Sequence, residues 1–255
     1  MKVAILGATA YSSRELIKIL LRHPEGVEIV YLGSRSPEDK RLSDVFPIFE
    51  GVADLPFQPH GAQNVPEDAD VVFLTLPHTV AMESVPKLLD RGFRVIDFSA
   101  DYRLKDPAVY KERYGVEHTD TKNLEISVYG LPELFRDEIA DARLVANPGC
   151  YPTPALLSLA PLLREKIIDP KGIIVDAKSG VSGAGNKPTM RTHFPECNEN
   201  VEAYKIGVHG HEAEMEQFAS ILAGEKASLC FVPHLIPMDR GILATTYARL
   251  VRDVS

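Results

Sequence analysis

The phrase Asn-Pro-Gly-Cys-Tyr-Pro-Thr, residues 147–153, encloses one thiol between conformationally restricted residues. A Pro-Gly turn is predicted before Cys150, and Pro152 and Pro154 suit the first turn of the apolar helix that follows. A sulfur atom at a helix N-terminus lies in a positive potential that stabilises the thiolate. The phrase therefore predicts that Cys150 is a nucleophile.

A second phrase, Val-His-Gly-His-Glu-Ala-Glu, supplies titratable groups at His209, His211 and Glu214. Nucleophilic thiol chemistry needs a proton donor and acceptor near neutral pH, which imidazoles provide. On a strand or loop, histidines at i and i+2 share a face. A metal site is the competing interpretation of the His-x-His pair, but no third ligand has a suitable spacing, so no metal is predicted. A cysteine hydrolase or acyltransferase using Cys150 and His209 without a nucleotide is a further alternative.

The other two cysteines, Cys197 and Cys230, lack this setting. Cys230 lies within an apolar strand and is predicted to be a core residue. An odd number of cysteines without a C-x-x-C pair favours neither a disulfide framework nor a zinc knuckle. The expected compartment is the reducing cytoplasm.

A possible phosphate-binding turn, Gly-Ala-Thr-Ala-Tyr-Ser-Ser at residues 7–13, follows the first apolar run. Backbone N–H groups of such a turn point at an anion, and the dipole of the next helix favours it. A G-x-x-G-x-x-G phrase has glycine where this chain has Ala10 and Ser13, and a plain strand–turn–helix is the alternative. The predicted cofactor contacts are Gly7, Thr9, Ala10, Tyr11 and Ser12.

The second strand ends in Gly-Ser-Arg, with no acidic residue at its tip. An Asp or Glu there would bind the ribose 2′-hydroxyl of NAD, whereas an arginine suits the 2′-phosphate of NADP. Ser34 and Arg35 therefore favour NADP, with an ordinary surface arginine as the alternative.

The elements that must position these groups follow an alternating pattern in the first half of the chain. Continuous apolar runs predict parallel strands, and stripes of helical period predict the helices between them. The predicted strands are 2–8, 27–35, 70–78 and 94–102, and the predicted helices are 12–24 and 81–92. This alternation is typical of a doubly wound α/β sheet.

The pattern changes after about residue 148. One helix, 154–166, is followed by predicted strands at 172–180, 227–235 and 241–252, with a Gly/Ser loop at 181–189. The sequence thus predicts two domains: residues 1–148, which bind the nucleotide, and residues 149–255, an α+β domain of more antiparallel character.

Bulk properties exclude two classes of partner. The 255 residues carry a formal net charge of −8, which argues against binding to a nucleic acid backbone. No apolar run approaches the ~20 residues that cross a bilayer. The short apolar run at the N-terminus fits a first strand better than a signal peptide, because it lacks a convincing cleavage site.

Four phrases in order resemble the N-acetyl-γ-glutamyl-phosphate reductase family of arginine biosynthesis: NPGCYPT, DAKSGVSGAG, FPECNENVEAYKIGVHGHEAEMEQ and MDRGILATTYARL. The resemblance runs from KVAILGATAY to the last residue. Aspartate-semialdehyde dehydrogenases share the architecture but place their cysteine in an Asn-Cys-Thr-type phrase. The resemblance implies a Rossmann-type domain, a catalytic domain like the C-terminal domain of glyceraldehyde-3-phosphate dehydrogenase, NADPH as cofactor, an acyl phosphate substrate and a homo-oligomer, dimer or tetramer.

The resemblance also implies a reaction and the residues that perform it. Cys150 would attack the acyl phosphate and form a thioester that NADPH reduces. One of the two histidines, with His209 favoured, would act as acid/base, and Glu214 would orient or polarise it. Further cofactor contacts implied by the family are Pro77, His78, Ser179, Gly180, Ser182 and Gly183. Arg103 and Arg191 are candidates for the substrate carboxylate, with structural salt bridges as the alternative for each.

Two departures from the family pattern leave alternatives open. Ala10 and Ser13 replace glycines of the phosphate turn, and the family continues beyond this chain's end, so a C-terminally truncated chain is predicted. A catalytically impaired nucleotide-binding fragment is therefore one alternative. Another is the same chemistry on the lysine-pathway acyl phosphate that is one methylene longer, since one methylene is worth only ~1–3 kcal/mol of discrimination.

Overall fold

The chain forms two compact units in a computed structural model that describes residues 1–35 and 40–253. The first unit comprises Met1–Pro107 and Val116–Asn147, and the second comprises Ala108–Gly115 and Pro148–Ser255. The short segment 108–115 thus belongs to the second unit although it lies within the first in sequence. Nothing in its composition indicated this.

The first unit is built on a parallel sheet with the strand order β3-β2-β1-β4-β5-β7-β6 in its described residues. Its strands are β1 (Lys2–Leu6), β2 (Glu28–Ser34), β3 (Gln58–Pro59), β4 (Val71–Leu74), β5 (Arg94–Asp97), β6 (Val128–Tyr129) and β7 (Leu144–Ala146). All pairings between them are parallel. The predicted α/β class and doubly wound sheet are confirmed.

Two predicted strands end earlier than expected. The runs at 70–78 and 94–102 leave the sheet at Leu74 and Asp97. After Asp97 the backbone turns because the carboxylate accepts the N–H of Ser99 at 3.0 Å and lies 2.6 Å from the Ser99 hydroxyl. Such local side-chain bonds compete with the sheet ladder, so an apolar run overestimates the strand.

Helices cover both faces of this sheet. Ile5 of β1 packs in one buried cluster with Ile17 of the first helix, whereas Leu6 packs in another cluster with Val85 and Leu88 of the third. Alternate residues of one strand therefore reach opposite layers, as expected for a doubly covered parallel sheet. The helices of this unit are α1 (Tyr11–Leu20), α2 (Leu42–Val45), α3 (Ala81–Asp90), α5 (Thr121–Ile126) and α6 (Pro132–Asp141).

The second unit contains a mixed sheet with the order β11-β8-β10-β9. The central pair β8 and β10 is parallel, and the outer pairings are antiparallel. The strands are β8 (Lys171–Ser179), β9 (Glu202–Ala203), β10 (Ser228–Leu235) and β11 (Ile242–Tyr247). The helices are α4 (Pro107–Tyr114), α7 (Pro152–Arg164), α8 (Phe194–Cys197) and α9 (Gly210–Ala223). The prediction of antiparallel character is correct only for the outer strands.

One face of this sheet is covered and the other is open. Val175 and Phe231 are fully buried in a cluster with Leu159 of α7 and Met215 of α9. On the opposite face Cys230 is exposed. The prediction of a core position for Cys230 is wrong, because its strand alternates between the covered and the open face.

Among the described residues, the helices are all too short or too polar to pass through a lipid bilayer.

Candidate active site

The turn between β1 and α1 requires a glycine at its first position. Gly7 has φ +91°, and a Cβ atom there would lie 2.6 Å from the carbonyl oxygen of Thr75. The N–H groups of Gly7 and Ala8 both donate to Gly33 O, at 3.0 and 3.1 Å, which ties the turn to β2. The close approach of strand and turn leaves no room for a side chain.

The two departures from the glycine phrase have local explanations. Ala10 is extended, with φ −77° and ψ 158°, a conformation that any residue adopts. Ser13 is fully buried, and its Oγ lies 2.7 Å from Thr75 Oγ1 and 2.9 Å from Gly7 O. The Ser13 hydroxyl thus connects α1 to the end of β4. A glycine at this position would allow close packing but would form no such bond.

The N-terminus of α1 fits an anionic group. Ala10 provides no side-chain cap, and no acidic residue occupies the first turn. The first N–H groups of a helix, here of Tyr11 and Ser12, have no intrahelical acceptor. The turn also lies between β1 and β4, where the strand order reverses, which is the usual ligand crevice of an open α/β sheet. These residues fit the phosphates of a dinucleotide.

The tip of β2 presents Arg35 to solvent while Ser34 is buried. Burial, and then the positive charge of Arg35, lower the pKa of His60. His60 N–H also donates to Ser34 O at 3.0 Å. Arg35 is thus an exposed cation at the tip of β2, and a guanidinium is a suitable partner for a phosphate.

The loop after β4 carries Pro77 and His78, both exposed. His78 Nδ1 accepts the N–H of Ala100 at 2.9 Å, so the imidazole is fixed on the neighbouring loop. Thr79 follows with φ 72°, an unusual value for a residue other than glycine.

Asp101 stabilises that loop and was missed by the sequence analysis. Its carboxylate accepts the N–H of Thr79 at 2.7 Å and of Ala81 at 3.0 Å, which holds the strained residue and the start of α3. The sequence offered one signal for this role: Asp101 follows the end of a strand, and aspartate is a common helix-capping residue.

Arg103 is also a backbone-binding residue of the first unit. It is only 4% exposed, and it donates from Nε to Asn147 O and from Nη2 to Phe98 O, both at 2.7 Å. These contacts join the ends of two neighbouring strands. The predicted contact of Arg103 with the substrate stays a prediction.

In the second unit, Cys150 is exposed and directly precedes α7. Tyr151 is the N-cap and Pro152 the first helical residue. Thr153 closes the turn, since its N–H and hydroxyl both donate to Gly149 O, at 3.2 and 2.9 Å. The thiol therefore lies at the positive end of a helix of 13 residues.

The two histidines lie at the start of α9, His209 just before the helix and His211 in its first turn. His209 is the N-cap, and its Nδ1 accepts the N–H of His211 at 3.1 Å. The ring centroids are 4.6 Å apart, because the extended backbone of the N-cap residue brings both rings to the same end of the helix.

The turn before Cys150 contacts the first turns of α9. A Cβ atom at Gly149 would lie 2.6 Å from Nε2 of His211, so only glycine lets the imidazole approach. The N–H of Gly149 donates to Glu214 Oε1 at 2.8 Å. The residue before Cys150 is thus in contact with the imidazole of His211 and the carboxylate of Glu214 within this unit.

Aromatic side chains pack around the two imidazoles. Tyr151 is buried, with ring centroids 5.9 Å from His209 and 6.0 Å from His211. Its hydroxyl lies 3.0 Å from that of Tyr204, and burial raises the pKa of both phenols. Both phenols remain neutral at physiological pH.

Segment 108–115 supports the same helix end from another side. A Cβ atom at Gly210 would lie 2.6 Å from the hydroxyl of Tyr114, so this glycine lets the phenol approach the start of α9. Arg113 donates to Gly207 O at 3.1 Å. These two contacts explain why residues 108–115, from the middle of the sequence, belong to the second unit.

The Gly/Ser loop after β8 is fixed to the segment before β11. A Cβ atom at Gly180 would lie 2.6 Å from Asp239 O. Ser182 donates to the same carbonyl from its N–H at 3.0 Å and from its hydroxyl at 2.6 Å. Ser179 is buried, and Gly183 is exposed on the outside of the loop.

Arg191 is partly exposed and forms an ion pair with Glu202 at 3.0 Å. Its guanidinium also lies 5.4 Å from the ring centroid of Tyr204. In residues 1–35 and 40–253, no three His, Cys, Asp or Glu side chains are arranged to hold a metal ion.

Two protein-family models match the chain. Residues 2–142 match the family described as semialdehyde dehydrogenase, NAD binding domain, and residues 150–255 match semialdehyde dehydrogenase, dimerisation domain. The first match assigns the predicted nucleotide turn to an NAD-binding domain and leaves the choice between NAD and NADP open.

Solved structures of aspartate-semialdehyde dehydrogenases share the fold. The enzyme II of Vibrio cholerae, in complex with ASA, superposes with a TM-score of 0.73 at 17% identity, over 99% of this chain and 75% of that one. The Candida albicans enzyme with NADP superposes with a TM-score of 0.68 at 18% identity, over 100% and 72%. At this identity the likeness establishes the architecture alone.

Curated relatives are much closer in sequence. The N-acetyl-gamma-glutamyl-phosphate reductase of Syntrophobacter fumaroxidans is 47% identical over 255 residues, covering 100% of this chain and 74% of that protein. The reductase of Magnetococcus marinus is 48% identical over 255 residues, covering 100% and 73%. The chain therefore belongs to the N-acetyl-γ-glutamyl-phosphate reductase family, a group of semialdehyde dehydrogenase-type oxidoreductases.

Proposed function

We propose that the chain reduces N-acetyl-γ-glutamyl phosphate to N-acetylglutamate 5-semialdehyde and inorganic phosphate, with NADPH as the reductant. The observation that carries this proposal is the turn of Cys150, which is in contact with His211 and Glu214 at the start of α9. The activity named for the relatives supports the choice of substrate.

The first step is acyl transfer to sulfur. The Cys150 thiolate attacks the acyl carbon, the bond from that carbon to the phosphate oxygen breaks, and phosphate leaves with both electrons. The start of α7 stabilises the attacking anion, and the exposure of Cys150 gives the substrate access. The acyl group remains on the enzyme as a thioester.

The proton transfers are assigned to the imidazole pair. The family resemblance favours His209, but Nδ1 of that ring accepts a backbone N–H and must stay unprotonated to do so. His211 packs on Gly149, one residue before the nucleophile. We therefore assign the acid/base role to His211 and a role in holding the helix end to His209.

The first unit supplies the nucleotide site. Bound NADPH would provide the hydride that reduces the thioester carbonyl. Gly7 lets the turn approach the end of β4, and the first turn of α1 offers the N–H groups of Tyr11 and Ser12 to the phosphates. Thr9 and Ala10 precede that turn and are assigned to the same cofactor site. Arg35, beside Ser34, is proposed to select the 2′-phosphate of NADP.

Several roles that the resemblance implies are part of the same proposal. Pro77 and His78 are assigned to the cofactor, as are Ser179, Gly180, Ser182 and Gly183. Arg191 is the better candidate for the substrate carboxylate, because it is 44% exposed whereas Arg103 is buried against backbone carbonyls. The reduced thiol that the reaction needs is consistent with a cytoplasmic location.

The open face of the second sheet is proposed as the surface of a homo-oligomer. Ile174, Leu243 and Tyr247 are 43%, 64% and 55% exposed on it. These apolar side chains share the face with the charged pair Asp176 and Lys178, whose Oδ2 and Nζ atoms lie 2.5 Å apart, so the face is mixed in character. The matching family is described as a dimerisation domain, which supports its use as an association surface.

The proposal is tested in the reverse direction. N-Acetylglutamate 5-semialdehyde and NADP should yield NADPH only when inorganic phosphate is added, and NAD should be a poorer oxidant. The homologue one methylene longer is the matched comparison. A higher kcat/KM for the homologue, or turnover without phosphate, would contradict the proposal.

A further inference from the structure

Three glutamates of α9 accept backbone N–H groups from other elements. Glu212 Oε2 accepts from Phe231 at 3.0 Å, and Glu216 Oε1 accepts from Leu229 at 3.1 Å. Between them in sequence, Glu214 accepts from Gly149 at 2.8 Å. Carboxylates that bond to backbone N–H groups form stronger hydrogen bonds than neutral acceptors do.

The outer two glutamates attach the helix to the sheet. Residues at i and i+4 lie on one side of a helix, and both bond to β10. That strand pairs with β9 only at His234 and Leu235, so the N–H groups of Leu229 and Phe231 lie on an edge that α9 covers. Glu212 and Glu216 thereby fix the axis of α9.

Glu214 reaches away from that edge, to the turn of the nucleophile. It is 1% exposed, and a buried carboxylate without donors would be strongly destabilising. Gly149 has an extra constraint, because the imidazole of His211 lies where its Cβ atom would be. The same short segment is thus held by a carboxylate and an imidazole that come from one helix.

We infer that Glu214 is a positioning residue for Cys150: its carboxylate holds the N–H of Gly149 and so keeps the nucleophile turn in register with His211. This role is distinct from the sequence-based expectation that Glu214 orients or polarises a histidine. The inference rests on the proposed function for its kinetic consequence, but not for its structural one.

The test compares Glu214 with Glu216, which forms the same type of bond from the same helix. The variants are Glu214→Ala, Glu214→Gln and Glu216→Ala. The glutamine keeps an acceptor oxygen and loses only the charge. Hydrogen exchange of the Gly149 and Leu229 amides is measured by NMR, together with kcat, KM and thermal unfolding.

Glu214→Ala should accelerate exchange of the Gly149 amide and lower kcat, each by about 10- to 100-fold, with little change in KM. Glu214→Gln should retain most of the wild-type protection of the Gly149 amide and most of the wild-type kcat. Glu216→Ala should accelerate amide exchange at Leu229 only and leave kcat within about twofold of the wild-type value. Both alanine variants should lower the unfolding temperature by similar amounts.

Unchanged Gly149 exchange in Glu214→Ala would overturn the inference, as would an equal loss of kcat in Glu216→Ala. If the wild-type chain lacks reductase activity, the proposed function fails. The exchange data still decide whether Glu214 holds the turn, so the two failures are distinguishable.

Discussion

The candidate nucleotide site and the candidate site of Cys150 both lie at helix N-termini, but different chemical groups hold them in place. The turn before α1 uses backbone, a glycine without space for a side chain and the hydroxyls of Ser13 and Thr75. The turn before α7 is held by an imidazole and a carboxylate from α9. The first site should therefore be sensitive to added volume, and the second to the loss of functional groups.

The departures from the glycine phrase illustrate this difference. Ala10 needs no positive φ, and Ser13 contributes a hydroxyl that bonds to the strand end. Because small size and not glycine itself is required at these two positions, the phosphate turn keeps its geometry. The two departures from glycine therefore do not support the alternative of an impaired nucleotide-binding fragment.

The largest effect is expected from Gly7→Ala. The methyl group would lie 2.6 Å from Thr75 O, and φ +91° is strained for alanine. We expect a loss of about 1–3 kcal/mol in the free energy of unfolding, and NADPH affinity at least about tenfold weaker. Urea unfolding and calorimetric titration measure these quantities.

Gly26→Ala is the matched control. Gly26 also has positive φ, +70°, but nothing lies within 4 Å of the added Cβ atom. It should show the backbone strain without any change in NADPH affinity. Equal affinities for the two variants would show that the close approach of Gly7 to Thr75 has no part in nucleotide binding.

A smaller effect is expected from Arg35→Ala. Loss of an exposed guanidinium that pairs with a 2′-phosphate should weaken NADPH binding by about 3- to 30-fold and leave NADH binding unchanged. Arg22→Ala removes another exposed arginine of the same unit and serves as the control. If both cofactors lose affinity equally, Arg35 does not select the phosphate.

The last effect depends on pH and concerns Asp97, the fully buried carboxyl at the end of β5. Burial, the largest cause, raises the pKa of Asp97 to about 7 from its ordinary 3.8. The folded state therefore binds more protons than the unfolded state between these values, and stability falls as the pH rises through this window. Asp97→Asn, which resembles the protonated form, should gain stability relative to the wild type by up to about 1.4 kcal/mol for each pH unit between about 5 and 7. A difference in unfolding free energy that is constant with pH would contradict this.

Local pattern predicted the main elements and the position of Cys150 before a helix. Strands β1, β2, β8 and β10 and helices α1, α3 and α7 lie where apolar runs and proline positions placed them. Cys150 lies before α7 because Pro152 suits the first helical position, where its missing N–H leaves no hydrogen bond unmade. These features depend on residues that are close together in sequence.

The misses depend on contacts between distant residues. Hydropathy could not show that one face of β10 is open, which is why Cys230 was misplaced. The bond from Gly149 to Glu214 spans 65 residues, and Tyr114 reaches Gly210 across 96. Periodicity reports that a residue is buried or polar, but not which partner it meets.

The central claim is that Cys150 accepts the acyl group before any hydride is transferred. Mixing the chain with N-acetyl-γ-glutamyl phosphate in the absence of nucleotide, and measuring phosphate release by stopped flow, tests this directly. We predict a burst of phosphate stoichiometric with the chain, absent in Cys150→Ser and retained in Cys197→Ser. A burst that survives Cys150→Ser, or NADPH-dependent turnover without any burst, would contradict the account.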